Sequence, residues 1–243
     1  SIPAQYTGGC LRPWNSDTLL GLERVYALRN TLSIAAVNMS LGGGLYSSAC
    51  DDDVRKPIID QLRAAGIATV VAAGNNGNRT SISAPACVSS AIAIASAEQR
   101  DALSPFSNAN SLIDLVAPGS GIVSSYVDGN RNNQYQALSG TSMAAPHVAG
   151  AFAALRSAQP DASVDEILSA LRGSGMHIFF GGALSRMRIN VDRALTLLRE
   201  GSQTTSTLSG PSESREGGAV TFTATVAAGD GSRPSGAVEF YNG

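Results

Sequence analysis

Ser142 stands in "LSGTSMAAPHVAGA", residues 138–151, where a Gly-Thr pair ends and a run of small and apolar residues begins. This pattern can present a nucleophile. A serine hydroxyl attacks well only when a base takes its proton. Pro146 falls one turn later; it has no N–H to give, so the Ser142 carbonyl is left unpaired inside the expected helix. A serine at a helix N-terminus also faces the positive end of the helix dipole, which favours a developing oxyanion.

Two further stretches offer groups that such chemistry needs. In "VVAAGNNGN" (70–78) an apolar run ends in Ala72-Ala73-Gly74 and then Asn75. Ligands bind outside the carboxyl ends of parallel strands, and an asparagine there can aim its amide N–H at a substrate carbonyl. In "NMSLGGG" (38–44) a strand pattern runs into three glycines. Gly42 and Gly43 would let another backbone approach closely, as when an extended peptide adds as a strand.

The base is harder to find. The chain has two histidines, His147 and His177. His147 lies five residues past Ser142 on the same helix and points away from the hydroxyl. His177 sits in "GMHIFFGG", read as a late loop. Lys56, the only lysine, opens a different helix. "CDDD" (50–53) reads as caps and dipole partners before that helix rather than a metal site. Asn38 and Asn78 head glycosylation sequons, with Asn38 expected in a buried strand.

The elements that must hold these groups come from periodicity. "LSIAAVNMS" (32–40), "IATVVAA" (67–73) and "AIAIAS" (91–96) read as strands buried on both faces. "PIIDQLRAAG" (57–66), residues 141–158, "SVDEILSALRGSG" (163–175) and "INVDRALTLLRE" (189–200) read as helices, the third opening on a capping box from Ser163 to Glu166. Alternation of strand and helix predicts an α/β fold: three layers, with a mainly parallel sheet covered by helices on both faces. Composition allows a large core, with 43% hydrophobic and 15% charged residues. A net charge of −2 points to no nucleic acid, and no run is long enough to span a membrane. Cys10, Cys50 and Cys87 are an odd set. Cys50 and Cys87, each beside a strand end, are expected to pair, leaving Cys10 without an internal partner.

After residue 200 the composition shifts to Ser, Thr and Gly. The chain divides into 1–200, a linker at 201–218, and 219–243, where "AVTFTATVAA" and "SGAVEFYNG" flank "GDGSRP" as a hairpin signal.

Taken in order, "NMSLGG", "VVAAGNNG" and "SGTSMAAPHVAG" resemble the corresponding segments of subtilisin-like serine proteases, the subtilases. "SAPACVSSAIAIAS", "SPFSNANSLIDLVAPG" and "RINVDRALTLL" extend the resemblance to roughly residues 20–200. Residues 204–243 resemble the opening strands of a bacterial immunoglobulin-like repeat. The resemblance implies a serine endopeptidase with Ser142 as nucleophile, and Asn75 with the Ser142 N–H as oxyanion donors. It implies that Ser40, Leu41 and Gly42 pair with substrate backbone. Ala72, Ala73 and Gly74 would wall the first specificity pocket, with Ser83 near its floor. His147 matches a structural histidine of the family, and Ala84–Pro85 a position often cis. No cofactor is required; a structural calcium ion on carbonyls around Ala86 and Val88 is compatible.

The departure is that family members carry a catalytic Asp in an Asp-Ser/Thr-Gly element and a catalytic His in a His-Gly-Thr element, in the order Asp, His, Ser. Neither element occurs here. The expectation is therefore the C-terminal part of a secreted subtilisin-like domain, followed by the start of an Ig-like module. It would act on polypeptides, be inactive alone and be completed by an N-terminal segment bearing Asp and His. The alternatives are a catalytically dead binding or adhesion module, or a serine-carboxyl peptidase, against which Asn75 and Pro146-His147 argue.

Overall fold

The computed structural model describes residues 15–127, 133–200, 204–210 and 223–228. In chain order the elements are α1 (Asn15–Leu28), β1 (Ala36–Met39), β2 (Gly43–Tyr46), α2 (Lys56–Ala64), β3 (Ala68–Ala72), β4 (Ile82–Ala84), β5 (Ile92–Ala97), β6 (Leu115–Pro118), β7 (Ile122–Val127), β8 (Asn133–Leu138), α3 (Thr141–Ala158), α4 (Val164–Ser174), β9 (Met176–Gly181), β10 (Leu184–Arg188), α5 (Val191–Glu200), β11 (Thr204–Ser209) and β12 (Thr223–Ala228).

The main sheet has the order β1-β3-β5-β6-β10-β9. β1, β3, β5, β6 and β10 run parallel, and β9 closes the sheet antiparallel to β10. Successive side chains of a strand point to opposite faces. On β3, Ala68, Val70 and Ala72 join a core built with α3, α4 and α5, while Val71 joins one built with α1 and α2. Both faces are covered, which is why the central strands are apolar throughout.

β1 departs from the expected burial. It is an edge of the sheet, so Ala36 and Val37 are half-buried and Asn38 is exposed. The late loop expected around His177 is instead the hairpin β9–β10. Its turn runs through Gly181 (φ 123°) and Gly182 (φ 57°), conformations that only glycine adopts cheaply. "FFGG" between two alternating runs carried that signal. α1 was not anticipated. Gly21 interrupts it, yet Leu19, Leu22, Val25 and Tyr26 recur at helical spacing and pack on the α2 side. Within the stretch expected as a linker, β11 pairs antiparallel with β12. The run at 235–243 lies outside the described residues, as does Cys10.

The expected bridge is present: Cys50 and Cys87 form a disulfide with Cα atoms 5.3 Å apart. The Ala84–Pro85 peptide is cis. α4 carries the full capping box, with Ser163 Oγ accepting from Glu166 N–H (3.2 Å) and the Glu166 carboxylate accepting from Ser163 N–H (2.7 Å). Ser163→Ala should cost about 1 kcal/mol and lower Tm by roughly 2–4 °C, read by calorimetry. The Ser163 backbone and hydroxyl donors hold the Glu166 carboxyl below its ordinary value of 4.5. A lowered folded-state value means that this stabilisation is complete above the ordinary range and is lost as pH falls through and below it. The difference between wild type and Ser163→Ala should therefore shrink in acid.

Candidate active site

The site gathers at the carboxyl ends of β1 and β3 and the N-terminus of α3. α3 opens at Thr141 with Gly140 as its N-cap, so Ser142 is in the first turn and not the cap itself. N–H groups of the first turn lack intrahelical acceptors. The Ser142 N–H therefore points out of the helix end beside the hydroxyl. Gly140 N–H donates to the Gly119 carbonyl after β6 (2.8 Å), which fixes the turn leading into the nucleophile.

Pro146 lies inside α3, and the carbonyl it leaves free has a partner. The Ser40 hydroxyl, just past the end of β1, donates to the Ser142 carbonyl at 2.8 Å. The Ser142 hydroxyl reaches back toward the Ser40 carbonyl at 3.4 Å. Two segments 102 residues apart in sequence are thus joined at the nucleophile.

Asn75 is oriented by Thr141. Its Oδ1 accepts from the Thr141 N–H (2.8 Å) and the Thr141 hydroxyl (2.9 Å). Thr141 Oγ1 in turn accepts from Gly74 N–H (3.1 Å). With the oxygen held, the amide Nδ2 is turned the other way. A Cβ on Gly140 would lie 3.2 Å from that nitrogen, so glycine keeps space open in front of it. Through Thr141, Asn75 is thus tied to the residue directly before Ser142 at the start of α3.

The expected pocket residues are also adjacent. A Cβ on Gly42 would come within 3.0 Å of the Ala84 carbonyl, 3.1 Å of Ser83 Cβ and 3.9 Å of the Ala72 carbonyl. Gly74 has φ 103°, and a Cβ there would meet Ser83 Oγ at 2.5 Å. Ala72, Ala73 and Ser83 are buried, and Leu41 packs partly into the α2-side core. At Gly43 the approaching backbone is the chain's own: Gly43 pairs with Ala84 in the two-stranded sheet of β2 and β4.

Neither histidine is placed as a base. His147 Nδ1–H donates to the Met143 carbonyl (2.8 Å) along the helix. His177 is on β9, the far edge of the sheet from β1, with its ring on the Ser185 hydroxyl (3.0 Å). Five strand spacings separate the two edges, roughly 24 Å. Lys56 is held by the Asp60 carboxylate at 2.7 Å. Among the described residues no group of three His, Cys, Asp or Glu is gathered to hold a metal. Beside the cis proline, the Val88 carbonyl accepts from Ala91 N–H and the Asp51 carboxylate takes the N–H and hydroxyl of Ser89.

Residues 14–187 match the model of the Subtilase family, peptidase group S8. The chain belongs to the subtilase family. It is 34% identical over 182 residues to subtilisin DY of Bacillus licheniformis, covering 74% of this chain and 62% of that protein. It is 39% identical over 158 residues to an extracellular serine proteinase of Thermus sp. strain Rt41A, covering 65% of this chain and 36% of that one. A protease of Pseudoalteromonas arctica PAMC 21717 superposes with TM-score 0.65 at 29% identity, over 76% of this chain and 59% of that one. A cold-adapted subtilisin-like serine proteinase gives 0.55 at 32% identity, over 68% and 56%. The subtilase chain thus spans less than two thirds of these relatives.

Two residues of the site were not read from the sequence. Thr141 is fully buried and fixes Asn75, and only its place between Gly140 and Ser142 hinted at a role. Asn108, also fully buried, lies against the Asn75 loop from 30 and more residues away, and no local pattern announces it.

Proposed function

We propose that this chain carries the nucleophile, the oxyanion donors and much of the substrate cleft of a secreted serine endopeptidase. The general base and its orienting carboxylate come from polypeptide outside residues 1–243. One observation supports the reading: the Ser40 and Thr141 hydrogen bonds tie Ser142 and Asn75 to the same place, the N-terminus of α3 beside the ends of β1 and β3. A substrate in extended form would lie along Ser40–Gly42. As Ser142 Oγ bonds to the scissile carbonyl carbon, the base takes the hydroxyl proton. The carbonyl oxygen becomes an oxyanion held by the two N–H donors. Collapse breaks the C–N bond, the base returns the proton to the leaving amine, and water later cleaves the ester by the same steps. A binding or adhesion module is the second reading, favoured by the lack of a base beside Ser142 among the described residues; it would have no such His and Asp elsewhere in the polypeptide. We place 219–243 at the start of an Ig-like module.

The test is fluorophosphonate labelling of the complete polypeptide. Ser142 should be the labelled residue and Ser142→Ala should abolish both labelling and peptide hydrolysis; labelling elsewhere sinks the proposal. Asn75→Ala should lower kcat by about 10²–10³, a scale that comes from a subtilisin itself as the standard case of such a donor and not from this geometry.

The first specificity pocket should prefer apolar side chains of medium size. Its proposed walls are Ala72, Ala73 and Gly74 and its floor is Ser83, none of which carries a charge. A Lys or Arg buried there would be unpaired, which is costly. Cleavage of a peptide library should show Leu, Met or Phe before the scissile bond. A profile dominated by Lys or Arg would overturn the pocket assignment.

A further inference from the structure

We propose that Asn108 is a positioning residue for the oxyanion donor Asn75, a role that rests on the reading of Ser142 and Asn75 above. Asn108 lies in the connection between β5 and β6, and its side chain is fully buried. A side-chain amide offers two acceptor sites and two donor hydrogens, and here all four are used. Oδ1 accepts from Asn76 N–H (3.0 Å) and Asn78 N–H (3.0 Å). Nδ2 donates to the Ala73 carbonyl (3.2 Å) and to Asn76 Oδ1 (3.2 Å). Its backbone N–H adds a bond to the Gly74 carbonyl (2.9 Å).

What matters is where these partners sit. The Gly74 carbonyl belongs to the peptide plane before Asn75, and the Asn76 N–H to the plane after it. A residue's φ and ψ are the rotations of those two planes about its Cα. Asn108 holds one plane with its backbone and the other with its side chain. It therefore sets the direction of the Asn75 Cα–Cβ bond, and Thr141 then sets the rotation of the amide. Gly77 N–H to the Phe106 carbonyl (2.7 Å) and Ala109 N–H to the Asn78 carbonyl (2.8 Å) align the two loops but leave the planes around Asn75 untouched.

The amide cannot be replaced by a near-isostere. Aspartate would turn a carboxylate oxygen toward the Ala73 carbonyl and Asn76 Oδ1, where donors are required. Alanine would leave the Asn76 and Asn78 N–H groups without their acceptor.

The test is a double-mutant cycle in the complete polypeptide that carries this chain. A shift of the donor by a fraction of an ångström to one ångström costs up to about a hundredfold, and it acts on the transition state alone. Asn108→Ala should therefore lower kcat by about ten- to a hundredfold with KM changed less than about threefold. In an Asn75→Ala background the same substitution should cost no more than about twofold, because the donor it positions is gone. Ile59→Val, in the core on the α2 face, should reduce thermal stability and leave kcat unchanged. An equal loss in both backgrounds, or an unchanged kcat in Asn108→Ala, overturns the proposal. If Asn108→Ala does not fold, Asn108→Ser, which keeps one acceptor, takes its place under the same criteria. Amide exchange at Asn76 and Asn78 needs no activity. It should quicken at least about tenfold in Asn108→Ala, and equal exchange overturns the proposal independently. A wild-type polypeptide without peptidase activity would instead sink the endopeptidase reading and with it the oxyanion role, and the exchange result would then decide only whether Asn108 holds the Asn75 loop.

Discussion

Residues 1–243 on their own are expected to leave a fluorophosphonate unreacted at Ser142 on the time scale at which an intact serine peptidase is fully labelled. The proposed oxyanion donors belong to this chain, but among the described residues no side chain is placed to accept the hydroxyl proton. A base must lie within hydrogen-bond reach, about 2.6–3.2 Å. The group at that position is the Ser40 carbonyl, 3.4 Å away, and a carbonyl is not a useful base. The His147 ring is committed to Met143, Lys56 to Asp60, and His177 stands at the opposite sheet edge. General base catalysis alone contributes about 10²–10⁴ in rate, so the shortfall should be at least of that size. Supplying polypeptide that bears the proposed Asp and His should give labelling. Strong labelling of Ser142 in the isolated chain, lost on His177→Ala, would mean that a base is present after all and that the chain is not dependent on outside residues.

Replacing Cys50 and Cys87 together by alanine is expected to cost about 4 kcal/mol of stability. The bridge closes a stretch with a sequence separation of 37, and the entropy of closing such a loop in the unfolded chain corresponds to that amount. Domains of this size have roughly 5–15 kcal/mol in all, so the loss is a large fraction. The bridge ties the connection after β2 to the turn after the cis proline, with Cys50 N–H also donating to the Cys87 carbonyl at 3.0 Å. That turn follows Ser83 by only a few residues, so loosening it should also disturb the proposed pocket. Both cysteines are nearly fully buried, at 3% and 1% exposure, and the native protein should resist mild reductant. Denaturant unfolding of the double variant and the wild type gives the difference directly. A loss below about 1 kcal/mol would show that this loop is already constrained in the unfolded chain.

The sequence by itself determined the elements whose cause is local. α3 spans the anticipated residues 141–158, because small helix-compatible residues follow a Gly-Thr pair and Pro146, in the second turn, removes one intrahelical hydrogen bond without ending the helix. α4 begins at its capping box, since Ser163 and Glu166 satisfy each other's backbone donors without outside partners. The continuous apolar runs of β3 and β5 were legible for the same reason: a strand covered on both faces needs no polar side. Ser142 and Asn75 could be named because their neighbours carry the pattern. Only the tertiary structure decided what lies at an edge and what meets across distance. "AAVNM" reads as apolar as β3 does, yet β1 has no strand beyond it among the described residues, and Asn38 is exposed. The "FFGG" turn between β9 and β10 is a signal present in the sequence, but only the structure places that hairpin beside β6 at the sheet edge. The bond from Ser40 to the carbonyl that Pro146 frees, the hold of Thr141 on Asn75, and the four bonds of Asn108 join residues 30 to 102 positions apart. Hydrogen bonds of that kind depend on angles and distances of a few tenths of an ångström. The packing of β1, β3 and α3 sets those distances, and they leave no periodic trace in the order of the residues.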